Sequence, residues 1–351
     1  LVIYLTKPGQ TFGNDLGAEF ARIAGQDQGY FIRQRDNRVI LGANTDAGLF
    51  YAATTLSQLI DKEGGKLEIA DITDSPDFAG RSSRMMNYQT DWYIQHAATL
   101  TPAEKDSIRS ERDADLKQQI EDVDFYAFYK INKLYNEYHQ LSERWWGKDE
   151  FFNKLYSSVG ERCRQYGLAI RPAVMFNPYI HLGMEQPERL LPDSLKQIFS
   201  HVDDHSFTMV KNLLKPALEA GTRTVMFCAD DYIPHYGIRG EYTLFNAKDK
   251  ARFLNLADAQ HFFINRLKSW LETDWNGVRL EFVPAPYNNR FIDYGRGTAD
   301  AYYRDLAAHL DEDIPIIWTG NTVRSLHYDL ADIRRAVNVY RRKPMLWDNT
   351  P

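Results

Sequence analysis

The chain has 351 residues, 44% of them hydrophobic and 13% aromatic, with 21 Tyr, 19 Phe and 7 Trp, a composition that builds a sizeable core and excludes a disordered protein. A formal net charge of -6 with no long basic run argues against nucleic acid or an anionic membrane surface as a partner. Cys163 and Cys228, the only 2 cysteines, fit neither a zinc spacing nor a disulfide framework and read as buried thiols, and no stretch is long enough to span a membrane.

Residues 1 to about 75 read as one small α/β unit. Val2-Ile3-Tyr4-Leu5, Gly29 to Arg33 and Arg38 to Gly42 are strand-like, the last two hinged by Arg35-Asp36-Asn37. A helix follows, capped by Thr45 or Asp46, with Leu49, Ala52, Ala53, Leu56, Leu59 and Ile60 as its apolar face. The opening Leu1 to Leu5 carries no export pattern.

The turn-rich segment 71–81 marks a boundary, after which short apolar strands alternate with long amphipathic helices. Strands are predicted near 83–88, 124–132, 167–175, 222–229, 278–283, 314–318 and 344–347. Helices are predicted over 150–166, 207–220, 256–272, 299–310 and 329–342, with a charged helical insert within 89–123 whose charges read as a solvated face. This alternation predicts a parallel sheet and a (β/α)8-type TIM barrel over 76–351, seven strands being visible and the last one missing from this chain.

Active sites of such barrels lie at the C-terminal ends of the strands. Here those ends carry Asn177-Pro178-Tyr179, Asp230-Asp231, Pro284 to Asn289, Trp318-Thr319-Gly320-Asn321 and Trp347-Asp348-Asn349. Rings stack on sugar faces and amides bond sugar hydroxyls, so this rim suits a carbohydrate, although Asn, Gly and Pro also serve ordinary turns. The adjacent acids Asp230 and Asp231 fit two roles: a proton donor beside a charged carboxylate, as in glycosidic cleavage, or one acid capping the next segment and one in solvent. The cluster His201-Val202-Asp203-Asp204-His205 invites a metal reading, but its place just before a helix favours capping. Gly295-Arg296-Gly297 reads as a loop.

The strings Phe227-Cys228-Ala229-Asp230-Asp231, Leu256-Ala257-Asp258-Ala259-Gln260 leading to Asn265, Val283 to Tyr287, Trp318-Thr319-Gly320 and Leu346 to Asn349 resemble, in order and spacing, family 84 of the glycoside hydrolases. These are β-N-acetylglucosaminidases that include O-GlcNAcases. The first 75 residues resemble the α/β domain that precedes the barrel there and in family 20 hexosaminidases.

The resemblance implies a retaining, exo-acting β-N-acetylglucosaminidase in which the sugar's 2-acetamido oxygen attacks the anomeric carbon, with neither metal nor cofactor. It implies that Asp230 orients the acetamido group and stabilises the oxazoline-like intermediate, and that Asp231 is the general acid and then the base. Tyr287 would bond the acetamido oxygen, Asn349 would hold sugar hydroxyls, and Thr319 and Trp347 would line the pocket. The partner would be an N-acetylglucosamine-containing glycan, and bacterial relatives imply an extracellular or periplasmic home.

The chain departs from the family at Arg84 to Gln89, where a Gly-Phe-Tyr-Gly string is expected, and at Tyr135 to His139, where a lysine is expected. A sugar-binding Asp expected after Asn349 falls beyond Pro351. These changes leave open an inactive glycan-binding module or an endo-acting, hyaluronidase-like relative.

Overall fold

The computed structural model describes residues 2–10, 14–60, 71–84, 94, 99–138, 150–178, 199–230, 247–290 and 298–349. The chain forms two compact units: Leu1–Met85 with Asp113–Tyr135 and Ser158–Pro172, and Met86–Arg112 with Asn136–Ser157 and Ala173–Pro351.

In the first unit β1 (Val2–Thr6), β2 (Tyr30–Arg35), β3 (Arg38–Ala43) and β4 (Ile72–Asp74) form a sheet of order β1-β3-β2-β4. The predicted hinge closes β2 on β3 with Arg35 opposite Arg38 and Asp36 at φ +52°, a short hairpin turn. Alternation along the strands sorts the core. Tyr30, Ile32, Val39 and Leu41 pack with Tyr51, Ala52 and Leu56 of the helix Asp46–Leu59, whereas Phe31 and Ile40 pack with Leu16, Phe20 and Ile23.

Thr45, not Asp46, caps that helix, its hydroxyl accepting the Gly48 N–H at 3.0 Å. Three residues assigned to its apolar face, Ala53, Leu59 and Ile60, stay exposed. Ala53 lies a further ~100° round the helix from buried Ala52, and the other two fall where the helix ends. The boundary segment contributes the edge strand β4, antiparallel to β2, which three residues were too few to announce.

The remaining strands run in chain order. β5 (Ser82–Arg84), β6 (Lys133–Tyr138), β7 (Arg171–Phe176), β8 (Thr224–Cys228) and β9 (Arg279–Val283) make a sheet of order β5-β6-β7-β8-β9, parallel at β5·β6, β7·β8 and β8·β9. β10 (Ile317–Trp318) and β11 (Met345–Leu346) pair in parallel, and a parallel bridge from Phe282 to Ile316 leads from β9 to β10. This is a mixed α/β fold, and no closed ring of strands occurs among the described residues.

The register places Phe176, Phe227 and Phe282 side by side, and Phe227 packs on buried Phe263 of the helix Leu256–Asp274 with ring centroids 5.7 Å apart. Helices Glu150–Gln165, Asp204–Glu219, Thr298–His309 and Leu330–Tyr340 occupy the other predicted places.

One predicted strand is corrected. Residues 124–128 end the helix Pro102–Phe128, and the strand begins at Lys133. Burial at Leu116, Gln119, Val123 and Ala127 keeps the 3-4 spacing of a helix to its last turn, while most of its charged side chains are solvated. Cys163 and Cys228 are buried and neither is in a disulfide, and burial pushes the Cys163 thiol up to about 12. No helix of the described residues is long and apolar enough to cross a membrane.

Candidate active site

Because the strands are parallel, residues that follow their last positions share one edge of the sheet. Asp230 follows β8 by two residues, Tyr287 follows β9 by four, and Thr319, Trp347 and Asn349 follow β10 and β11 by one, one and three. Apolar runs create this edge. Val225, Met226 and Phe227 are fully or nearly fully buried, so β8 ends where Asp230, half-buried, meets more polar surroundings.

Two neighbours hold the β8 end. The Ala229 N–H donates to the Val283 carbonyl at 2.7 Å, closing the last pair of the β8·β9 ladder, and the Asn177 amide, buried just past β7, donates to the Asp230 carboxylate at 3.3 Å. Asp231 lies outside the described residues, as do Gly295 to Gly297 and Met85 to Gln89.

Tyr287 and Thr319 are brought together directly. The Thr319 N–H donates to the Tyr287 carbonyl at 3.0 Å, and the same two loops are bonded again from Asn289 N–H to Gly320 O and from Arg290 N–H to Asn321 O, each at 3.0 Å. Side chains reinforce the junction. The Asn289 carbonyl accepts the buried Trp318 indole N–H at 3.2 Å, its amide donates to Asn321 at 2.8 Å, and Asn321 donates in turn to Asp332. Tyr303, fully buried, donates to the Pro286 carbonyl at 2.6 Å and so anchors the residue before Tyr287.

The Thr319 hydroxyl donates to Thr322 O at 2.8 Å, which leaves its lone pairs to accept from a ligand. Trp347 joins the same edge through its N–H, which donates to Trp318 O at 2.9 Å, and both Trp347 and Asn349 are half-buried. Between them exposed Asp348 accepts from the Tyr328 hydroxyl at 3.2 Å; burial first, and then the Asp348 charge, push that phenol up to about 12.

Elsewhere the acids do structural work. Asp203 caps the helix Asp204–Glu219, accepting from His205 N at 3.4 Å. His201 Nδ1 lies 2.7 Å from buried Asp249, which also accepts from Ser200, His201 N and Val202 N. Burial alone would raise the Asp249 carboxyl, but the His201 contacts outweigh it and hold the group well below the usual carboxylate range. Asn265, in the middle of the helix Leu256–Asp274, donates to His309 O at 2.7 Å and accepts from Asp311 N at 3.1 Å, and so ties that helix to the end of Thr298–His309.

Sequence reasoning named Asn177 and Asn289 only as parts of the rim, and passed over Tyr303. Their partners lie 53, 29 and 17 residues away, so only the order of strands in the sheet hinted at the contacts.

Residues 192–351 match the profile of the family described as beta-N-acetylglucosaminidase, and residues 18–75 match that of glycosyl hydrolase family 20, domain 2. The solved structure of CpGH84B superposes with a TM-score of 0.65 at 21% identity, covering 96% of this chain and 50% of that one. An O-GlcNAc hydrolase mutant from Thermobaculum terrenum gives a TM-score of 0.53 at 18% identity, covering 78% of this chain and 48% of that one. The chain therefore spans about half the length of each solved chain. In fold the chain is similar to these solved structures, and in sequence its 192–351 segment is similar to the beta-N-acetylglucosaminidase family.

Proposed function

We propose that this chain carries the catalytic machinery of a retaining exo-β-N-acetylglucosaminidase, removing terminal N-acetylglucosamine from glycans or glycoproteins by substrate-assisted catalysis on a (β/α)8-type scaffold. The observation that carries the reading is the common edge: Asp230, Tyr287, Thr319, Trp347 and Asn349 all follow consecutive parallel strands within the segment that matches the family.

In the first step the 2-acetamido oxygen attacks the anomeric carbon, the glycosidic C–O bond breaks, and the departing oxygen takes a proton from Asp231. Asp230 accepts the acetamido N–H, turns the carbonyl oxygen towards the anomeric carbon and stabilises the positive charge of the oxazolinium. A preorganised anion beside developing cationic charge acts most strongly where water is excluded. In the second step Asp231 takes a proton from water, the water oxygen attacks the anomeric carbon, and the oxazoline opens with overall retention. Tyr287 donates to the acetamido oxygen, Thr319 and Trp347 flank the N-acetyl group, and Asn349 bonds sugar hydroxyls.

Asp231→Ala tests the division of labour. General acid catalysis contributes roughly 10²–10⁴-fold, so turnover of an alkyl glycoside is expected to fall by that order while an activated aryl glycoside loses far less. Equal losses on both substrates would refute the assigned role.

A further inference from the structure

Contacts from both neighbouring strands reach the end of β8 at Asp230. On the β9 side the Ala229 N–H is fixed to the Val283 carbonyl at 2.7 Å, which sets the backbone one residue before the acid. On the β7 side the Asn177 Nδ2 lies 3.3 Å from Asp230 Oδ1. Asn177 is only 2% exposed, and it follows Phe176, which is paired in register with Phe227, so the ladder itself carries this amide to the acid's level. The next residue, Pro178, fixes its own φ and restricts Asn177 to extended backbone.

A carboxylate with one immobile backbone neighbour still turns about its χ angles. A buried amide N–H, which can only donate, removes that freedom by favouring the rotamer in which Oδ1 is turned to the sheet.

We infer that Asn177 is a positioning residue for Asp230: by donating to Oδ1 it sets the orientation of the carboxylate that meets the acetamido group. This rests on the function proposed above only for what Asp230 then does; the Asn177–Asp230 coupling is a property of the chain itself. Because Asn177 acts through Asp230, its effect belongs to steps in which the acetamido group is oriented, not to contacts with sugar hydroxyls.

The test is a double-mutant cycle on Asn177→Ala and Asp230→Ala, read twice: as affinity for a thiazoline mimic of the oxazoline, and as urea stability. Asn177→Ala is expected to weaken thiazoline binding about ten-fold, in keeping with loss of a hydrogen bond to a charged group, and to lower kcat on an aryl N-acetylglucosaminide with KM little changed. In the Asp230→Ala background Asn177→Ala is expected to have no further effect on affinity. Asn177→Ser, which keeps a donor, should recover part of the loss. Additive losses in affinity, or equal weakening of a ligand lacking the acetamido group, would overturn the positioning role. Should the wild-type chain neither bind thiazoline nor cleave the glycoside, the function proposed above fails, and the stability cycle still decides the coupling. A non-zero interaction energy upholds the Asn177–Asp230 contact and a zero one refutes it.

Discussion

Gly320, the last residue of the Trp-Thr-Gly string, sits at φ +98°, and a Cβ there would lie 2.3 Å from Ser325 Oγ, 2.7 Å from Ser325 Cβ and 2.8 Å from Tyr328 Cε1. Gly277 has a similar φ of +85° but meets nothing within 4 Å. The pair separates two costs. Forcing an L-residue into such a conformation costs ~1–3 kcal/mol, and overpacking a filled site adds a further ~1–3 kcal/mol. Gly277→Ala should therefore lose about 1–3 kcal/mol and Gly320→Ala about 2–6 kcal/mol. Urea unfolding with an unchanged m-value is the assay. Gly320→Ala should also impair aryl N-acetylglucosaminide turnover, because the displaced backbone adjoins Thr319 and accepts from Asn289 N–H. Equal destabilisation by the two substitutions would refute the steric argument, and full activity in Gly320→Ala would separate this loop from the site.

Asn289→Ala strips the buried Trp318 indole of its acceptor and Asn321 of a donor; an orphaned buried donor costs about 1–3 kcal/mol, and kcat/KM should fall as the Tyr287 loop loosens, measured on folded protein. Tyr303→Phe frees the Pro286 carbonyl and should cost roughly 1 kcal/mol in chemical unfolding, with a smaller loss of activity than Asn289→Ala. Asp249 has a depressed folded-state pKa, so its stabilisation is complete above the unfolded value of roughly 4 and is lost as pH falls below that value towards the folded one. Asp249→Asn should flatten the fall in stability below about pH 4, and an unaltered slope would remove Asp249 from the account.

The strands β8 and β9 were legible because buried, β-branched and aromatic runs end abruptly at charge or proline, as in Thr224 to Asp230 and Leu280 to Pro284. The helix end at 124–128 was not. Phe125 and Tyr129 supply a strand-like aromatic density yet are exposed, at 59% and 56%, while the buried positions Val123 and Ala127 are four apart. Local composition weighed the rings, whereas tertiary packing chose the helical face. β4 is too short for any periodicity and owes its form to the neighbouring edge of β2.

The candidate site divides in the same way. Asp230, Tyr287, Thr319, Trp347 and Asn349 stand where strands end, and strand ends are visible in a sequence. The contacts that hold them, Asn177 on Asp230 and Asn289 between Trp318 and Asn321, depend on which strands are neighbours and in what register. No local pattern encodes that.

The central claim is that the sugar's own acetamido group is the nucleophile. It is tested most directly by comparing an aryl 2-acetamido-2-deoxy-β-glucoside with the aryl β-glucoside that bears a hydroxyl at C2. The account predicts turnover of the first, with retention, and none measurable of the second. Comparable rates on both would contradict it.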